Sequence, residues 1–160
     1  RETFIIGGLE VVEAALTARP LEWWLSLHLT LVGIAHFLVP IASFQVPLRL
    51  RWREELPRLS NFNRKLMWTF GAYTLLAILS FGILTLIFRD SFLRGEPLAL
   101  GLAAYILVFW GSRLVVDKFY YHSGDWPEGP QFVAGHALLN ALIAFLASGY
   151  LGVLAYHWSR

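Results

Sequence analysis

Long runs of apolar residues, separated by short polar segments, dominate the chain. Each run holds about the 20 mostly apolar residues that a helix needs to cross the hydrocarbon core of a bilayer. A soluble helical domain is the alternative, but four such runs in 160 residues leave little polar surface. We therefore predict an all-α integral membrane protein, a four-transmembrane-helix bundle forming a single domain over 1–160. The runs cover residues 23–47, 66–88, 98–117 and 132–158.

The segment before the first run has a different pattern. Apolar residues recur at helical spacing within residues 1–20, whereas Glu10 and Glu13 fall on the other side of such a helix. This pattern predicts a short amphipathic helix that lies in the membrane interface. Packing of the same apolar face against other protein is an equally good interpretation.

The amino-acid composition supports the membrane prediction and excludes several functional classes and kinds of site. The chain is 57% hydrophobic and only 15% charged, whereas soluble domains average roughly 45–50% apolar and about 25% charged residues. The formal net charge of +2 is too small for a nucleic-acid-binding protein. Because the chain has no cysteine, disulfides, thiolate metal sites and cysteine nucleophiles are excluded.

The distribution of basic residues predicts the orientation in the membrane. Loops rich in Arg and Lys stay on the cytoplasmic side, so we expect 48–65 and 118–131 to be cytoplasmic and both termini to lie outside. The intervening loop has balanced charges. The expected location is a bacterial inner membrane, with the lipid bilayer as the first partner. The basic residues of the first loop are Arg49, Arg51, Arg53, Arg58, Arg64 and Lys65.

Proline interrupts the first run near a central histidine. Pro40 has no N–H to donate, so the carbonyl of His36, four residues earlier, loses its helical partner. Because an unpaired carbonyl is costly in hydrocarbon, another helix, a water or a ligand must repair the gap. The sequence therefore predicts a kink beside His36. At the start of the second run, Ser60 or Asn61 can cap the helix.

Small residues predict the faces on which these helices pack, since close backbone approach drives helix association in lipid. In the fourth run they recur at steps of three and four, which keeps them on one side of a helix. We expect this face, and the small residues of the third run, to lie inside the bundle. They are Ala137, Ala141, Ala144, Ser148, Gly152 and Ala155, and Gly101, Ala104, Gly111 and Ser112.

Polar and ionisable side chains within the runs are the candidates for function, because they are costly in lipid and usually face the bundle interior. We expect an inner group near the arginine-rich side of the membrane. In this group Arg113 and Asp117 lie four residues apart on one helix face, and His136 and Asn140 have the same spacing on another helix. A secondary candidate comes from the third loop. The group comprises His36, Arg113, Asp117, His136 and Asn140, with His122 as the secondary member.

A second, outer group pairs His28 with His157 near the opposite boundary. The structural interpretation of both groups is an intrahelical ion pair between Arg113 and Asp117, with histidines bonded to freed carbonyls such as that of Ser43. On this interpretation the chain is a non-catalytic subunit of a larger membrane complex, or a homo-oligomer, and has no cofactor.

Haem binding is a more specific hypothesis than the structural interpretation. It follows from the histidines, because neutral imidazole is a common ligand of haem iron. Bis-histidine pairs could join His36 with His136 and His28 with His157. Along their helices, however, the first-run histidines are about 12 Å apart and the fourth-run histidines about 31 Å apart. One pair, or one axial histidine, fits these spacings better than two. The prediction is a haem b redox subunit for electron transfer.

Two further hypotheses use the inner side chains differently. Asp117, His122, Asp125 and His136 combine carboxylate with imidazole, which suits a transition metal such as iron, zinc or manganese, although their spacing matches no specific ligand motif. Alternatively, His136 and Asp117 act as acid–base groups in a membrane enzyme that handles a lipid or a quinone. The sequence leaves open whether the protein is an enzyme.

Overall fold

The computed structural model describes residues 21–43, 46–121 and 129–160, and its regular elements within these ranges are all helices. The predicted interfacial helix over 1–20 lies outside the described residues. In chain order the elements are α1 (21–35), α2 (Leu38–Ser43), α3 (Val46–Arg49), α4 (Trp52–Glu55), a 3₁₀ turn (Leu56–Arg58), α5 (Asn61–Ile87), α6 (Arg89–Arg94), α7 (Pro97–Phe119) and α8 (Pro130–Trp158).

Within the described residues, four helical segments are long and apolar enough to cross a membrane, and each coincides with one predicted run. The second segment begins earlier than predicted, at Asn61 instead of 66, because Ser60 Oγ accepts a hydrogen bond from the backbone N–H of Asn63 at 3.3 Å. This is the predicted cap, which satisfies an otherwise unpaired donor of the first turn. The segments are Leu21–Ser43, Asn61–Ile87, Pro97–Phe119 and Pro130–Trp158.

The first segment is broken at residues 36–37, between α1 and α2. There the backbone N–H of Phe37 donates to the carbonyl of Ile34 at 3.0 Å, a tighter turn than the α-helical one. The break lies just before Pro40, which cannot donate to the carbonyl four residues back. The predicted kink is therefore present, and it sits at the centre of the bundle.

Glycines allow the first membrane segment, Leu21–Ser43, to approach the backbones of two neighbouring helices. A Cβ added to Gly82 on α5 would lie 2.9 Å from the Cβ of His36, and one added to Gly149 on α8 would lie 2.7 Å from Cγ2 of Val32. Such close approach gains van der Waals contact, which drives helix association in lipid. The residues buried between the four helices include Leu29, Val32, Phe81, Ile106, Trp110, Leu146 and Tyr150.

The small residues predicted to form contact faces lie mostly elsewhere. On α7, a Cβ added to Gly101 or Gly111 would meet nothing within 4 Å. On α8, every residue of the predicted face is exposed except Gly152, which is half-buried. The prediction was wrong because α8 is apolar on all sides, so its composition does not show which side faces the bundle. The residues that α8 buries are Ile143, Leu146, Gly149, Tyr150, Val153 and Tyr156.

The connection between α5 and α7 closes the end of the bundle opposite the arginine-rich loop. Helix α6 ends at Gly95, whose φ of 70° is left-handed, a conformation that glycine adopts without steric cost. Across this glycine, the Arg94 guanidinium donates to the Glu96 carboxylate at 2.7 Å. This hydrogen bond holds the pKa of the Glu96 carboxyl below its usual range. The balanced charges of this loop are thus largely paired with one another.

Candidate functional site

A single carboxylate joins α7 to α8 near the arginine-rich end of the bundle. The Asp117 side chain is only 7% exposed and accepts hydrogen bonds from three residues. Arg113 donates to one oxygen at 3.2 Å, while His136 Nε2 and Asn140 Nδ2 each lie 2.7 Å from the other. We call these four residues the Asp117 cluster. Buried charges are normally paired and hydrogen-bonded in this way, because an isolated charge is costly to bury.

Helix geometry explains why these four residues meet. Arg113 precedes Asp117 by four residues, which stacks the two side chains on one face of α7. His136 and Asn140 have the same spacing on α8, which packs against α7. The cluster therefore consists of two such pairs placed face to face. The sequence predicted both pairs, and the structure brings them together.

Hydrogen-bond donors define the orientation of the Asn140 side chain. Its Nδ2 must be the atom that faces the carboxylate, since a carboxylate oxygen only accepts. Nδ2 also lies 3.0 Å from His136 Nε2, and both nitrogens direct their hydrogens at the same Asp117 oxygen. The opposite end of the amide, Asn140 Oδ1, is buried and has no hydrogen-bond partner among the described residues.

The cluster is open on one side. The side chains of Arg113 and His136 are each 32% exposed, although the carboxylate that they share is buried. The Arg113 guanidinium carbon also lies 5.8 Å from the ring centroid of Tyr121. The site thus exposes the edges of Arg113 and His136, and inside it the carbonyl oxygen of Asn140 has no partner among the described residues.

His36, predicted to belong to this group, lies apart from it at the bundle centre. Its side chain is completely buried. Nδ1 lies 2.8 Å from the carbonyl of Val32, and Trp110 Nε1–H donates to Nε2 at 3.1 Å. Because Nε2 accepts, Nδ1 must carry the proton and donate to Val32, which makes the ring neutral with both nitrogens used.

The outer histidines also take separate partners instead of pairing with each other. His28 Nε2 lies 3.1 Å from Ser148 Oγ on α8. Since the Ser148 hydroxyl donates to the carbonyl of Phe145 at 2.7 Å, His28 is the donor to Ser148. His157 Nε2 donates to the carbonyl of Phe92 at 3.0 Å. These contacts resemble the structural interpretation, although the carbonyls differ from that of Ser43.

The described histidines do not fit a bis-histidine haem site. An axial imidazole must offer an unshared nitrogen lone pair to iron, and His36 offers none, because one nitrogen donates and the other accepts. His36 and His136 have different hydrogen-bond partners, as do His28 and His157. Residues 21–43, 46–121 and 129–160 contain no group of three His, Asp or Glu side chains placed to hold a metal ion. His122 and Asp125 lie outside these ranges.

Trp110 is the partner of His36 that sequence reasoning did not identify. It lies well inside the third predicted run, 98–117. An indole N–H in an apolar span needs an acceptor, and the first span offered a histidine at similar depth. That requirement could have linked the two residues before the structure was known.

The chain matches no protein-family model, no curated protein and no solved structure. The helices define the class of protein: over residues 21–43, 46–121 and 129–160 the structure is helical, with four segments suited to a membrane. Any function must therefore be argued from the residues themselves.

Proposed function

We propose that the protein is integral to a bacterial plasma membrane, with the arginine-rich loop in the cytoplasm and both termini outside. The four apolar helices of sufficient length in the described part of the chain support the insertion. The connector 48–65 supports the orientation, because its six basic residues exceed its two acidic residues by four, more than the net charge of +2 on the whole chain.

Single cysteines test this arrangement, and the cysteine-free chain provides a clean background. Leu59→Cys places a thiol on the connector and Ser159→Cys places one near the C-terminus, both at exposed positions. A membrane-impermeant maleimide should label Ser159→Cys in intact cells and Leu59→Cys only after permeabilisation. The reverse pattern would overturn the orientation, and a protein that stays in solution without detergent would overturn the insertion.

Within this membrane protein, we propose that the Asp117 cluster binds the hydroxyl group of an uncharged, lipid-soluble molecule. The observation that carries the proposal is Asn140 Oδ1, a buried acceptor without a donor among the described residues. A buried polar group that lacks a partner costs free energy, so a ligand that supplies a donor is favoured. A hydroxyl supplies one donor and also accepts from the exposed edge of Arg113.

The charges of the cluster favour an uncharged ligand. The charges of Arg113 and Asp117 cancel each other, so this ion pair leaves no excess charge to attract a phosphate or carboxylate. The partly exposed side chains of Arg113 and His136 give access from outside the bundle. A membrane-soluble alcohol or a quinol, which presents its hydroxyl at the interface, meets both requirements.

His136 is the residue of the cluster that would exchange a proton with the ligand's hydroxyl group. Asp117 accepts from its Nε2–H and so orients the imidazole, as a carboxylate orients the histidine of an acid–base pair. The cluster therefore contains a positioned acid–base group beside the proposed hydroxyl site. This supports the enzyme hypothesis for lipids or quinones over the haem hypothesis.

Native mass spectrometry of the solubilised full chain tests the binding, with geranylgeraniol as the probe and its methyl ether as the matched ligand without a donor. We expect the alcohol to bind roughly ten-fold more tightly than the ether, the effect of about 1.4 kcal/mol. Asn140→Leu should reduce binding of the alcohol to the level of the ether. Asn63→Leu, at the exposed start of α5, should leave it unchanged. Equal binding of alcohol and ether would overturn the proposal.

A structural role is the second candidate, because the three donors to Asp117 all come from within the protein, and two of them, His136 and Asn140, join α8 to α7. On this alternative neither ligand binds, and Asn140→Leu changes only the thermal stability. The same experiment, combined with a melting curve, separates the two candidates.

A further inference from the structure

The connector between the first two spans folds back on the start of α5 and forms a groove of about 530 Å³. Its residues come from α3, α4, the 3₁₀ turn and α5. The volume lies within the roughly 300–1,000 Å³ typical of small-molecule sites. The lining residues are Pro47, Leu48, Trp52, Arg53, Leu56, Pro57, Arg64 and Trp68.

A left-handed residue makes this fold-back possible. Arg51 has a φ of 49°, which is uncommon for a residue other than glycine. Its carbonyl accepts from the backbone N–H groups of Glu54 and Glu55 at 2.8 and 3.0 Å, which starts α4 in a new direction. As a result Trp52 reaches Trp68 on α5, with ring centroids 5.3 Å apart at nearly a right angle.

The groove combines an apolar floor with unpaired positive charge. Leu56 is 6% exposed and forms the floor, while Trp52 and Trp68 form an aromatic wall. Arg53 and Arg64 also line the groove. Among the described residues neither arginine takes part in an ion pair, whereas Arg58, which does not line the groove, is paired with Glu55 at 3.0 Å.

We propose that this groove binds an anionic glycerophospholipid of the cytoplasmic leaflet. The two arginines would contact the phosphate, and Trp52 and Trp68 would contact the glycerol and upper acyl region. Arginine matches phosphate oxygens with paired N–H donors, and tryptophan favours the headgroup layer. The excess positive charge of the connector complements the negative surface of that leaflet.

This proposal rests on the membrane insertion and orientation proposed above, but not on the hydroxyl site of the Asp117 cluster. The two sites share no residue, so Asn140→Leu should leave lipid binding at the groove unchanged. Loss of alcohol binding at the Asp117 cluster and loss of lipid binding at the groove can therefore be measured independently, so each proposal can fail without the other.

Lipid retention on the full chain, measured by native mass spectrometry, tests the groove. We expect phosphatidylglycerol to be retained in preference to phosphatidylcholine. Arg53→Gln and Arg64→Gln should each weaken phosphatidylglycerol binding about five-fold, which corresponds to roughly 1 kcal/mol per basic residue. Arg53→Lys should retain most of the binding. Arg58→Gln is the matched control in the same connector and should change binding less than two-fold.

Three results would overturn the proposal. Equal retention of the two lipids would show that charge does not select the occupant. An equal effect of Arg58→Gln would show general attraction to the connector instead of a site. Displacement of phosphatidylglycerol by millimolar glycerol 3-phosphate would show a site for soluble phosphate, because a lipid held also by its acyl region should resist the headgroup alone.

Discussion

Trp110 on α7 donates its indole N–H to Nε2 of His36, in the break after α1, at 3.1 Å across the centre of the bundle. The imidazole in turn donates to the carbonyl of Val32 on α1, one turn earlier in the chain. The histidine therefore stands at the break in the first span and ties it to α7. An otherwise apolar segment retains this polar side chain because both of its nitrogens have partners.

A double-mutant cycle measures this bond. His36→Leu leaves the Trp110 N–H buried without an acceptor, and we expect a loss of about 1–3 kcal/mol of stability. Trp110→Phe leaves Nε2 without its donor. The double variant should lose less than the sum of the two by about 0.6 kcal/mol, the average for hydrogen bonds between membrane helices, whose maximum is about 1.7 kcal/mol. Thermal unfolding in one detergent provides the measurement, and simple additivity would show that the bond contributes nothing.

The same hydrogen bonds predict the outcome of a test for haem. Since His36 has no free lone pair, protein purified from cells supplied with a haem precursor should show no Soret band that depends on it. Spectra of the native chain, His36→Ala and His136→Ala should be identical in the Soret region. A band that disappears in His36→Ala would contradict both this prediction and the neutral, fully bonded ring.

Sequence reasoning predicted what depends on local order along the chain. The four helices follow from the length of the apolar runs, the break near His36 follows from Pro40, and the start of α5 follows from the Ser60 cap. The pairing of Arg113 with Asp117 follows from helix periodicity. Each of these features is determined within a few residues, so it needs no knowledge of how the helices are arranged.

The rotation of each helix about its own axis, which decides which side faces the bundle, could not be predicted in this way. In a membrane bundle both the lipid-facing and the buried sides are apolar, so α8 gave no indication that it buries Gly149 and Tyr150 and exposes Ala141. For the same reason His36 was grouped with His136, although the two histidines have separate partners. Predicting the Asp117 cluster in full required knowing that α7 and α8 place their polar pairs face to face.

Gly149 provides a test of the observed rotation of α8. Gly149→Ala would place a Cβ 2.7 Å from Cγ2 of Val32, a buried β-branched side chain with little freedom to move. We expect a loss of about 1–3 kcal/mol, the usual cost of overpacking. Gly135→Ala on the same helix meets nothing within 4 Å and should be nearly neutral. Equal effects on the melting temperature would mean that α8 does not face α1 through Gly149.

Gly95 tests the closed end of the bundle. Gly95→Ala combines a left-handed φ of 70° with a Cβ only 2.6 Å from the ring of His157. The conformation alone costs about 1–2 kcal/mol for a residue with a side chain, and the clash adds to it. In a His157→Ala background the clash is removed, so Gly95→Ala should cost less there, by thermal unfolding. An unchanged cost would show that His157 does not pack over Gly95.

The hydroxyls of Thr85 and Tyr150 form a directed chain, which predicts unequal effects of two similar substitutions. Thr85 Oγ1 donates to the carbonyl of Phe81 at 2.7 Å, so its only hydrogen is used and Tyr150 must donate to it at 2.6 Å. Both residues are completely buried.

Tyr150→Phe removes the donor but leaves Thr85 bonded to Phe81, so we expect a loss of only about 0.5–1.5 kcal/mol. Thr85→Val keeps the shape of the side chain but leaves the Tyr150 hydroxyl buried without an acceptor, which should cost about 1–3 kcal/mol. Combining the two removes the unpaired hydroxyl, so the double variant should be more stable than Thr85→Val alone. Melting temperatures in one detergent decide the order. A double variant less stable than Thr85→Val would contradict the assigned direction of the chain.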